Sequence, residues 1–414
     1  MRVLVVHNNY SSRVPSGENL AVRDEVTWLR EAGLDVHTHE ISNDAGVAAQ
    51  GVGKLRQAVE MPWSPTARKR FDADLDRLRP DVVHVHNLFP MLTASVPWTA
   101  VRTAVPIVWT CHNRRLVCVE GTHYRDGAPC HLCRPGWRVP GVRHGCYQRL
   151  AVARGIVSPA SSAVASGLVT IATSAYRGIA RRHVTALGIS DNVRRWLVEH
   201  AGFAPERVHV KFNGVPGPDV TRPVPSPATN DVFLFAGQLA DYKGLPELLA
   251  AWRQRRSPGA RLRIVGEGMC APAVEAAAAE DPRIALVGPV PPSSMAEEIS
   301  GARVIVAPST TPETFGRVAA EALAYGRPVI TSGLGGLGEI VDDASGWVVG
   351  TDPAALARAM DEAAIGDEVV ARKGAAGRDR HAARFSPQAT TDALLAIYRD
   401  VVADVTGRSG HRPG

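Results

Sequence analysis

The sequence predicts an α/β protein built from two Rossmann-like domains that face each other across a cleft. A chain of 414 residues exceeds what one hydrophobic core usually organises and suits two domains. Apolar runs of strand length alternate with helix-length segments in both halves, which is typical of parallel sheets covered by helices. Five prolines crowd residues 216–230, as expected of an interdomain linker.

These features divide the chain into four expected segments. They are an N-terminal domain at 1–215, the proline-rich linker at 216–230, a C-terminal domain at 231–386, and a final helix and tail at 387–414. Apolar residues make up 45% of the chain and charged residues 21%, as in globular proteins. The sequence contains neither a signal-peptide core nor an apolar run of roughly 18 residues that could span a membrane, so we expect a cytoplasmic protein.

Charge is distributed unevenly between the two halves. The whole chain carries a net charge of +6, yet residues 1–215 alone carry +10 and the remainder carries −4. Such a basic half suits an anionic acceptor, an anionic membrane surface on the inner face of the membrane, or nucleic acid. An arginine-rich surface of no special function, inherited from a high-GC genome, explains the same excess.

The first half alternates strands and helices in the order expected for a parallel sheet. We predict helices at Glu18 to Ala32, around Phe71 to Leu78 and at Arg149 to Ser166. The expected strands are Arg2 to His7, Leu34 to His39, Asp81 to His86, Ile107 to Thr110, Leu168 to Ala172 and Val208 to Phe212. Two of these strands end in polar residues, namely His86-Asn87 and Cys111-His112-Asn113. A ligand crevice forms where parallel strands end, so His112 is expected to be functional, whereas His86 serves equally well as a structural residue.

A cysteine-rich segment interrupts this alternation at 111–148. Cys118, Cys130, Cys133 and Cys146 give the spacing C-x₁₁-C-x₂-C-x₁₂-C. A C-x₂-C pair with two further cysteines at loop distances is the donor set of a structural zinc site. Because a second C-x₂-C pair is missing, reduced cysteines without metal remain the alternative. The segment from Cys111 to Arg154 also carries eight arginines against two acidic residues, which suits acceptor recognition or membrane contact.

The second half repeats the alternation. Expected strands are Asp231 to Gly237, Arg261 to Gly268, Arg283 to Val290, Val304 to Pro308 and Arg327 to Ile330, and the chain is expected to be helical from Pro353 onward. An alanine-rich helix from Gly316 to Tyr325 follows the strand that ends at Pro308. Glu313 and Glu321 bracket its start, eight residues apart, and Gly316 between them would let a phosphate approach the helix N-terminus.

This arrangement resembles the retaining glycosyltransferases of glycosyltransferase family 4, which have the GT-B fold. The resemblance rests on a strand, the glutamate pair at 313 and 321, Phe315-Gly316 between them, and the glycine-rich turn from Gly333 to Glu339. It implies that the second domain binds a nucleoside diphosphate sugar and the first domain binds the acceptor. It also implies that the last helix, Pro387 to Val405, crosses back onto the first domain.

The resemblance assigns roles residue by residue. It implies three catalytic residues: Glu313, which binds hydroxyls of the donor sugar, His112, which contacts its far edge, and Lys243, which binds the diphosphate. Gln238 stands where the family has an arginine, so one cation is missing, and Arg317 is expected to replace it unless it pairs with Glu321. Glu321 would bind the ribose. The remaining donor-binding residues implied are Gly17, Val287, Gly288, Phe315, Gly316 and Val318, and the candidate acceptor residues are Asn87, Asn113, Ser174 and Arg177.

The implied reaction is transfer of a sugar from a UDP- or GDP-linked donor to a hydroxyl of a carbohydrate, lipid-linked or natural-product acceptor. Such an enzyme would serve polysaccharide, glycolipid or glycoside biosynthesis, without a catalytic divalent metal. Two other functions fit parts of the sequence. A sugar-nucleotide epimerase of the same fold would use the same cleft, and a zinc-containing nucleic-acid-binding protein would explain the cysteines and the basic half.

Overall fold

A computed structural model describes residues 1–9, 16–43, 60–134, 137–148, 158–219, 221 and 223–409. The chain separates into two compact units. The first contains Met1–Arg125, Pro129–Lys211 and Thr391–Gly414, and the second contains Asp126–Ala128 and Phe212–Thr390. Among the described residues, no helix is both long enough and apolar enough to cross a membrane.

The first unit is built on a six-stranded parallel sheet in the order β2-β1-β3-β4-β7-β8. Its strands, with two short strands of the cysteine-rich segment, are β1 (Arg2–Asn9), β2 (Asp35–Ser42), β3 (Val82–Asn87), β4 (Ile107–Cys111), β5 (Tyr124–Arg125), β6 (Ala128–Pro129), β7 (Val184–Gly188) and β8 (Val208–Val210). The helices are α1 (Gly17–Glu31), α2 (Pro65–Leu78), α3 (Ser95–Arg102), α4 (Val139–Arg143), α5 (Pro159–His183) and α6 (Asp191–Trp196).

Helix α1 shows how the sequence forms this unit. Ser16 caps its start, because the Ser16 hydroxyl accepts a hydrogen bond from the Asn19 backbone N–H. Its buried residues recur at helical spacing and face the sheet: Ala21, Val22, Glu25, Val26 and Leu29. Glu25 is the one charged residue on this buried face, so the fold must supply a partner for its carboxylate.

The prediction of a strand at Leu168–Ala172 is wrong, because these residues lie inside the 25-residue helix α5. The β-branched residues of that stretch favoured a strand locally, but burial follows a helical period. The buried side chains of α5 are Ser162, Ser166, Val169, Ala172, Thr173, Tyr176 and Ala180, and small residues among them allow close packing. The strand of this part of the sheet is β7, which follows directly. The predicted helix at Arg149–Ser166 lies partly outside the described residues, and its described part belongs to α5.

The second unit has its own six-stranded parallel sheet, in the order β11-β10-β9-β12-β13-β14. The strands are β9 (Val232–Ala236), β10 (Arg261–Val265), β11 (Ile284–Gly288), β12 (Val304–Ala307), β13 (Val329–Thr331) and β14 (Gly346–Val348). The helices are α7 (Leu245–Gln254), α8 (Ala271–Glu280), α9 (Pro292–Ser300), α10 (Arg317–Ala324), α11 (Leu337–Ile340), α12 (Pro353–Ile365) and α13 (Asp367–Arg384).

The last helix, α14 (Pro387–Ser409), begins in the second unit and belongs to the first unit from Thr391 onward. Leu394 and Tyr398 are fully buried in the core of the first unit, beside Val3, Val5 and Val22. This arrangement confirms that the C-terminal helix returns to the N-terminal domain. It also brings the Tyr398 hydroxyl among buried polar groups near the sheet, where that hydroxyl needs a hydrogen-bond partner.

Candidate functional site

A pocket lies in the first unit, where strands β3 and β4 end. This is the edge where a parallel sheet usually binds ligands. Its lining residues come from the ends of both strands, the loops after them and one face of α5: His86, Asn87, Leu88, Phe89, Trp109, Cys111, His112, Asn113, Arg115, Leu116, Thr173 and Tyr176. The structure therefore brings together three predicted site residues, His112, Asn87 and Asn113.

Two predicted acceptor residues, Ser174 and Arg177, do not line this pocket. They were placed in a turn after a strand, but both lie in the middle of α5. Their neighbours Thr173 and Tyr176 occupy the face of that helix that borders the pocket. The sequence thus identified a segment of chain that borders the pocket but assigned it the wrong secondary structure, and the acceptor role of Ser174 and Arg177 stays a prediction.

The pocket residues differ in how far their polar groups are already used. Asn87 donates from Nδ2 to the Asn8 carbonyl oxygen at 2.9 Å and accepts from the Phe89 N–H at 3.0 Å, so it fixes the loop after β3. Asn113 accepts from the Arg115 N–H at 3.0 Å and donates to Glu18 at 3.3 Å. His112 is 8% exposed, and burial holds the pKa of its ring well below the usual range, so it is neutral at pH 7.

Among the described residues that line the pocket, Arg115 has the one charged side chain, and it was not among the predicted site residues. Its guanidinium lies 4.8 Å from the centre of the Phe89 ring, and its Nη1 donates to the Val119 carbonyl oxygen at 3.3 Å. The only signal in the sequence was its position two residues after Asn113. Its charge favours a pocket ligand that carries an anionic group.

A buried ionic network lies next to the pocket, and its members are distant in the sequence. Glu25 pairs with Lys211 through one carboxylate oxygen, and its Oε1 lies 3.3 Å from His84 Nδ1 and 3.2 Å from His86 Nε2. These four side chains are nearly inaccessible to solvent. Although burial opposes its charge, Lys211 and the two histidines hold the pKa of Glu25 well below the usual range, so the carboxylate is ionised.

Hydrogen bonds connect this network with the pocket and with the C-terminal helix. The His86 Nδ1 and His112 Nε2 atoms are 3.0 Å apart, which joins the network to a pocket-lining ring. His84 Nε2 lies 2.8 Å from the Thr110 hydroxyl, and His84 Nδ1 lies 2.5 Å from the Tyr398 hydroxyl. In the sequence, the histidines among the valines of strand β3 indicated buried polar groups. They did not reveal that Glu25, Lys211 and Tyr398 would be their partners.

Glu25, His84 and His86 also form a group of metal-ligand type, because their ligand atoms lie within 4.8 Å of one another. The Lys211 ammonium, however, already contacts the Glu25 carboxylate. A second cation in the same buried place would face strong repulsion. The donor set therefore fits a hydrogen-bonded ion pair better than a metal centre.

In the second unit, the predicted catalytic residues Glu313 and Lys243 are in direct contact. Glu313 Oε1 accepts from Lys243 Nζ at 2.6 Å and from the Ser309 hydroxyl at 2.6 Å. Burial opposes the charge of Lys243, but the contact with Glu313 raises its pKa above the usual value, so the ammonium persists at pH 7. The contact places a carboxylate and an ammonium side by side after the end of strand β12, where the fold predicts a ligand site.

The glycine-rich turn at 333–336 holds this loop in place. The Glu313 N–H donates to the Leu334 carbonyl oxygen, and the Glu313 carbonyl oxygen accepts from the Gly336 N–H. Gly335 has a φ of +67°, and a Cβ atom there would lie 2.4 Å from the Glu313 carbonyl oxygen. Only glycine allows this approach of two backbones, which fixes the Glu313 side chain relative to β12.

Arg317 pairs with Glu321 in the structure: Arg317 Nε donates to Glu321 Oε1 at 2.8 Å, one helical turn along α10. This is the alternative that competed with a role for Arg317 at the diphosphate. Gln238 accepts a hydrogen bond from the Tyr242 hydroxyl at 2.5 Å, so its amide also has a local partner. Of the residues considered for binding the diphosphate, Lys243 is therefore the one whose side chain contacts Glu313 in the loop after β12.

The other predicted donor residues lie in varied environments. Gly17 is exposed at the first position of α1, and Val287 and Gly288 are half-buried at the end of β11. Phe315 is 3% exposed and its ring packs against the rings of Phe212 and Phe385, so only its backbone can face a ligand. Gly316 has a second reason to be glycine, because a Cβ there would lie 2.6 Å from Leu337. Val318, in the first turn of α10, is half-buried.

The four cysteines of the predicted zinc site are half-buried free thiols in the cysteine-rich segment. Burial and the neighbouring thiols of Cys118 and Cys130 raise the pKa of Cys133, and burial with Cys118 and Cys133 raises the pKa of Cys146 to about 11. The thiols are therefore close enough to influence one another. Cys111 differs from them, because it is buried at the end of β4 and burial raises its pKa to about 12.

Two family models match most of the chain. The model described as Glycosyltransferase Family 4 matches residues 16–216, and the model described as Glycosyl transferases group 1 matches residues 230–364. The two matches meet near the predicted linker. They include every predicted site residue in both units.

Individual proteins agree with these matches. The chain is 29% identical to the D-inositol 3-phosphate glycosyltransferase of Geodermatophilus obscurus, over 95% of this chain and 86% of that protein. It is 26% identical to the alpha-maltose-1-phosphate synthase of Mycolicibacterium smegmatis, over 97% of this chain and all of that protein. Among solved structures, Anabaena Alr3699/HepE in complex with UDP aligns with a TM-score of 0.66 at 15% identity, covering 97% of this chain and 100% of the other. This last similarity concerns the fold.

Proposed function

Since the chain belongs to glycosyltransferase family 4 and has the GT-B fold, we propose that it transfers a sugar from a nucleoside diphosphate sugar to an acceptor hydroxyl with retention of anomeric configuration. The observation that carries the proposal is the contact of Lys243 and Ser309 with Glu313 at the end of β12. A carboxylate that accepts hydrogen bonds from sugar hydroxyls and a cation for the diphosphate are the two groups that binding such a donor requires.

Lys243 supplies the positive charge for the leaving diphosphate. As the glycosidic bond breaks, negative charge develops on the phosphate oxygens, and a preorganised ammonium stabilises it. The start of helix α10 contributes partial positive charge from its N–H groups. Arg317 is engaged by Glu321, so we assign the diphosphate to Lys243 and the helix terminus and assign Glu321 to the ribose hydroxyls.

His112 contacts the donor sugar from the pocket of the first unit. Its ring is neutral, so it offers one N–H donor and one acceptor nitrogen to sugar hydroxyls. Among the described residues, no carboxylate lines this pocket to act as a covalent nucleophile. Retention then follows from attack on the face that the leaving group occupies, with the leaving phosphate accepting the proton of the acceptor hydroxyl.

The acceptor carries an anionic group that Arg115 recognises. Arg115 brings a positive charge to the pocket, and the first 215 residues carry a net charge of +10. Two relatives are named for phosphorylated compounds, D-inositol 3-phosphate and maltose 1-phosphate. A phosphorylated sugar or cyclitol, or a phosphate-bearing lipid-linked sugar, fits this chemistry. The pathway is then polysaccharide, glycolipid or glycoside biosynthesis.

The surface of the cysteine-rich segment supports peripheral contact with an anionic membrane. Leu132, Trp137 and Val139 are 48%, 60% and 53% exposed, and basic residues surround them in the sequence. Exposed aromatic and aliphatic side chains among arginines suit the interfacial region of a bilayer. Sedimentation with anionic vesicles tests this contact, which Trp137→Ala should weaken.

Thermal unfolding with a panel of nucleotides and nucleotide sugars tests the donor. A bound donor at 100 times its Kd stabilises the protein by about 2.7 kcal/mol, whereas a non-ligand has no effect. We expect stabilisation by UDP or GDP and by the matching sugar nucleotide, loss of that effect in Glu321→Ala, and no loss in Glu297→Ala, which changes an exposed residue of α9. The absence of stabilisation by every nucleotide diphosphate would contradict the proposal.

A further inference from the structure

The buried network around Glu25 does not bind the donor or the acceptor in the function proposed above. It joins side chains from four separate parts of the first unit: Glu25 on α1, His84 and His86 on β3, Lys211 after β8 and Tyr398 on α14. Burying a carboxylate and an ammonium is costly unless both are well paired. Because this network contacts His112, which lines the pocket, we looked for a function of the network beyond packing.

We propose that Glu25 is a positioning residue that fixes which nitrogen of His112 carries the ring hydrogen. It acts through His86, which lies between the two: Glu25 Oε1 is 3.2 Å from His86 Nε2, and His86 Nδ1 is 3.0 Å from His112 Nε2. His112 lines the pocket, whereas Glu25 does not. The inference rests on the proposed contact of His112 with the donor sugar.

The direction of the hydrogen bond between the two rings follows from the chemistry of the groups. Glu25 Oε1 lies 3.2 Å from His86 Nε2 without forming an aligned hydrogen bond. A carboxylate oxygen at that distance still repels a nitrogen lone pair and attracts an N–H, so His86 Nε2 carries a hydrogen. A neutral imidazole has one N–H, which leaves His86 Nδ1 as an acceptor. The hydrogen between the two rings must then come from His112 Nε2. His112 is left with an unprotonated Nδ1, which accepts a hydrogen bond from a ligand hydroxyl.

The Glu25–Lys211 pair already balances its own charge in this enclosed place, and both side chains are buried. A protonated His86 would add an uncompensated positive charge to the same enclosed place, beside His84, whose ring lies 4.2 Å away. The ion pair of Glu25 with Lys211 thus places a fixed carboxylate oxygen beside His86 without adding net charge.

The tautomer of His112 is measurable without any activity assay. In protein labelled with ¹⁵N-histidine, two-bond ¹⁵N–¹H correlation spectra distinguish the Nε2–H form from the Nδ1–H form, and the His112→Ala variant assigns the signals. We expect wild-type His112 in the Nε2–H form. A wild-type His112 in the Nδ1–H form, or one that is cationic at pH 7, would overturn the inference even if no Glu25 variant folded.

Glu25→Gln provides the sharpest variant. The buried Lys211 still needs an acceptor, so the amide oxygen turns toward Lys211 and the amide N–H groups face His86. His86 Nε2 then accepts, His86 Nδ1 donates to His112 Nε2, and the hydrogen of His112 moves to Nδ1. We expect this change of tautomer, with kcat lowered at least about tenfold because His112 presents the wrong nitrogen, and nucleotide affinity unchanged. A Glu25→Gln protein that folds and keeps the wild-type tautomer would refute the inference.

Asp74→Asn is the matched control, because His39 Nδ1 and Asp74 Oδ2 form a second histidine–carboxylate pair, 2.7 Å apart, outside the network. It should leave the His112 spectrum unchanged. His112→Ala separates the inference from the proposed function: full transfer by that variant would refute the role of His112 but not the tautomer assignment. One equivalent of metal in wild type that is lost in Glu25→Gln would make the network a metal site and overturn the inference.

Discussion

Glu313 is held at four points, through two side-chain donors and two backbone hydrogen bonds. Its side chain accepts from Lys243 and Ser309, and its backbone pairs with Leu334 and Gly336. In the proposed function, a donor sugar replaces the Lys243 contact, at least in part, when the diphosphate takes that ammonium. The contact between Lys243 and Glu313 therefore keeps both groups oriented before the donor arrives.

Two alanine variants should separate the roles of the two glutamates. Glu313→Ala frees Lys243 for the diphosphate, so nucleotide affinity should be kept while kcat falls about 100-fold, the scale for losing one preorganised group. Glu321→Ala removes hydrogen bonds to the ribose and should weaken nucleotide binding by about 1.5–3 kcal/mol. Isothermal titration with UDP and GDP, together with steady-state kinetics, measures both effects. Unchanged nucleotide affinity in Glu321→Ala would show that the pair is wrongly assigned.

Among individual residues, the sequence located side chains at the ends of strands. Asn87 is the last residue of β3 and His112 directly follows β4, and both line the pocket. Arg115 and Glu25 were missed for different reasons. Arg115 reaches the pocket from an irregular loop, whose path no periodicity predicts. Lys211 lies 186 residues from Glu25 and Tyr398 lies 314 residues from His84, so only tertiary packing brings these side chains together.

The glycine-rich turn is the element that fixes the geometry of the donor loop. A non-glycine residue at positive φ costs about 1–2 kcal/mol, and a side chain that clashes with backbone costs about 1–3 kcal/mol more. Gly335→Ala combines both costs, because its Cβ would meet the Glu313 backbone. We expect a loss of about 2–5 kcal/mol in the free energy of unfolding and a lower kcat.

Gly350→Ala is the control for that variant, since Gly350 also has a positive φ, of +72°, but a Cβ atom there would have no described neighbour within 4 Å. It should lose about 1–2 kcal/mol and keep its activity. Denaturant unfolding and kinetics compare the two variants. Equal stability losses with equal activity would mean that the approach of Gly335 to Glu313 has no special role.

The cysteine-rich segment is the element whose function the fold leaves open. We propose that Cys118, Cys130, Cys133 and Cys146 bind a structural zinc ion, because their spacing is that of a zinc donor set and neighbouring thiols contribute to the raised pKa values of Cys133 and Cys146. Purified protein should contain about one zinc per chain, and Cys130→Ser with Cys133→Ser should remove it. Cys270→Ser, in the second unit, should keep it. Metal-free wild-type protein of undiminished stability would leave the four cysteines as ordinary thiols.

Helix α5 shows where element prediction failed. The stretch from Leu168 to Ala172 has β-branched residues at its centre and therefore a local strand preference, but packing of small residues at helical spacing places it in a helix. The strands β1, β3, β4, β9 and β12 were predicted to within about two residues, because each is a short buried run in which apolar residues predominate or alternate with polar ones. A buried strand can be predicted from its own sequence, whereas a segment of mixed polarity such as Leu168 to Ala172 adopts the secondary structure that tertiary packing favours.

At the scale of the molecule, buried histidines should make the protein sensitive to acid. Burial lowers the pKa of His7 from 6.5 to about 4, and it lowers the pKa values of His84 and His112 in the same direction. Below pH 6.5 the histidines of the unfolded chain therefore take up protons while the folded rings do not. As a result, the free energy of unfolding decreases as the pH is lowered. Glu25, with its pKa lowered by Lys211 against the effect of burial, loses its contribution at still lower pH, below the unfolded value of 4.5.

We expect His7 alone to account for about 2 kcal/mol of stability lost between pH 7.5 and pH 5, at about 1.4 kcal/mol per unit of pH below 6.5. His7→Gln should reduce the loss by that amount. His37→Gln, which changes a surface histidine, should leave it as in wild type. Denaturant unfolding at the two pH values measures these differences. A wild-type stability that is unchanged between them would contradict the neutral, buried state assigned to these rings.

The most direct test of the whole account is the anomeric configuration of the product. The protein is incubated with a UDP- or GDP-linked α-sugar that thermal shift has identified as a ligand. Phosphorylated sugars or cyclitols serve as acceptors, and ¹H NMR follows the anomeric signals of donor and product. For a retaining glycosyltransferase, we expect a new α-linked anomeric signal that grows as free nucleoside diphosphate is released and that requires the acceptor. A β-linked product would contradict retention, and conversion of the donor into another sugar nucleotide without acceptor would mean that the enzyme is an epimerase.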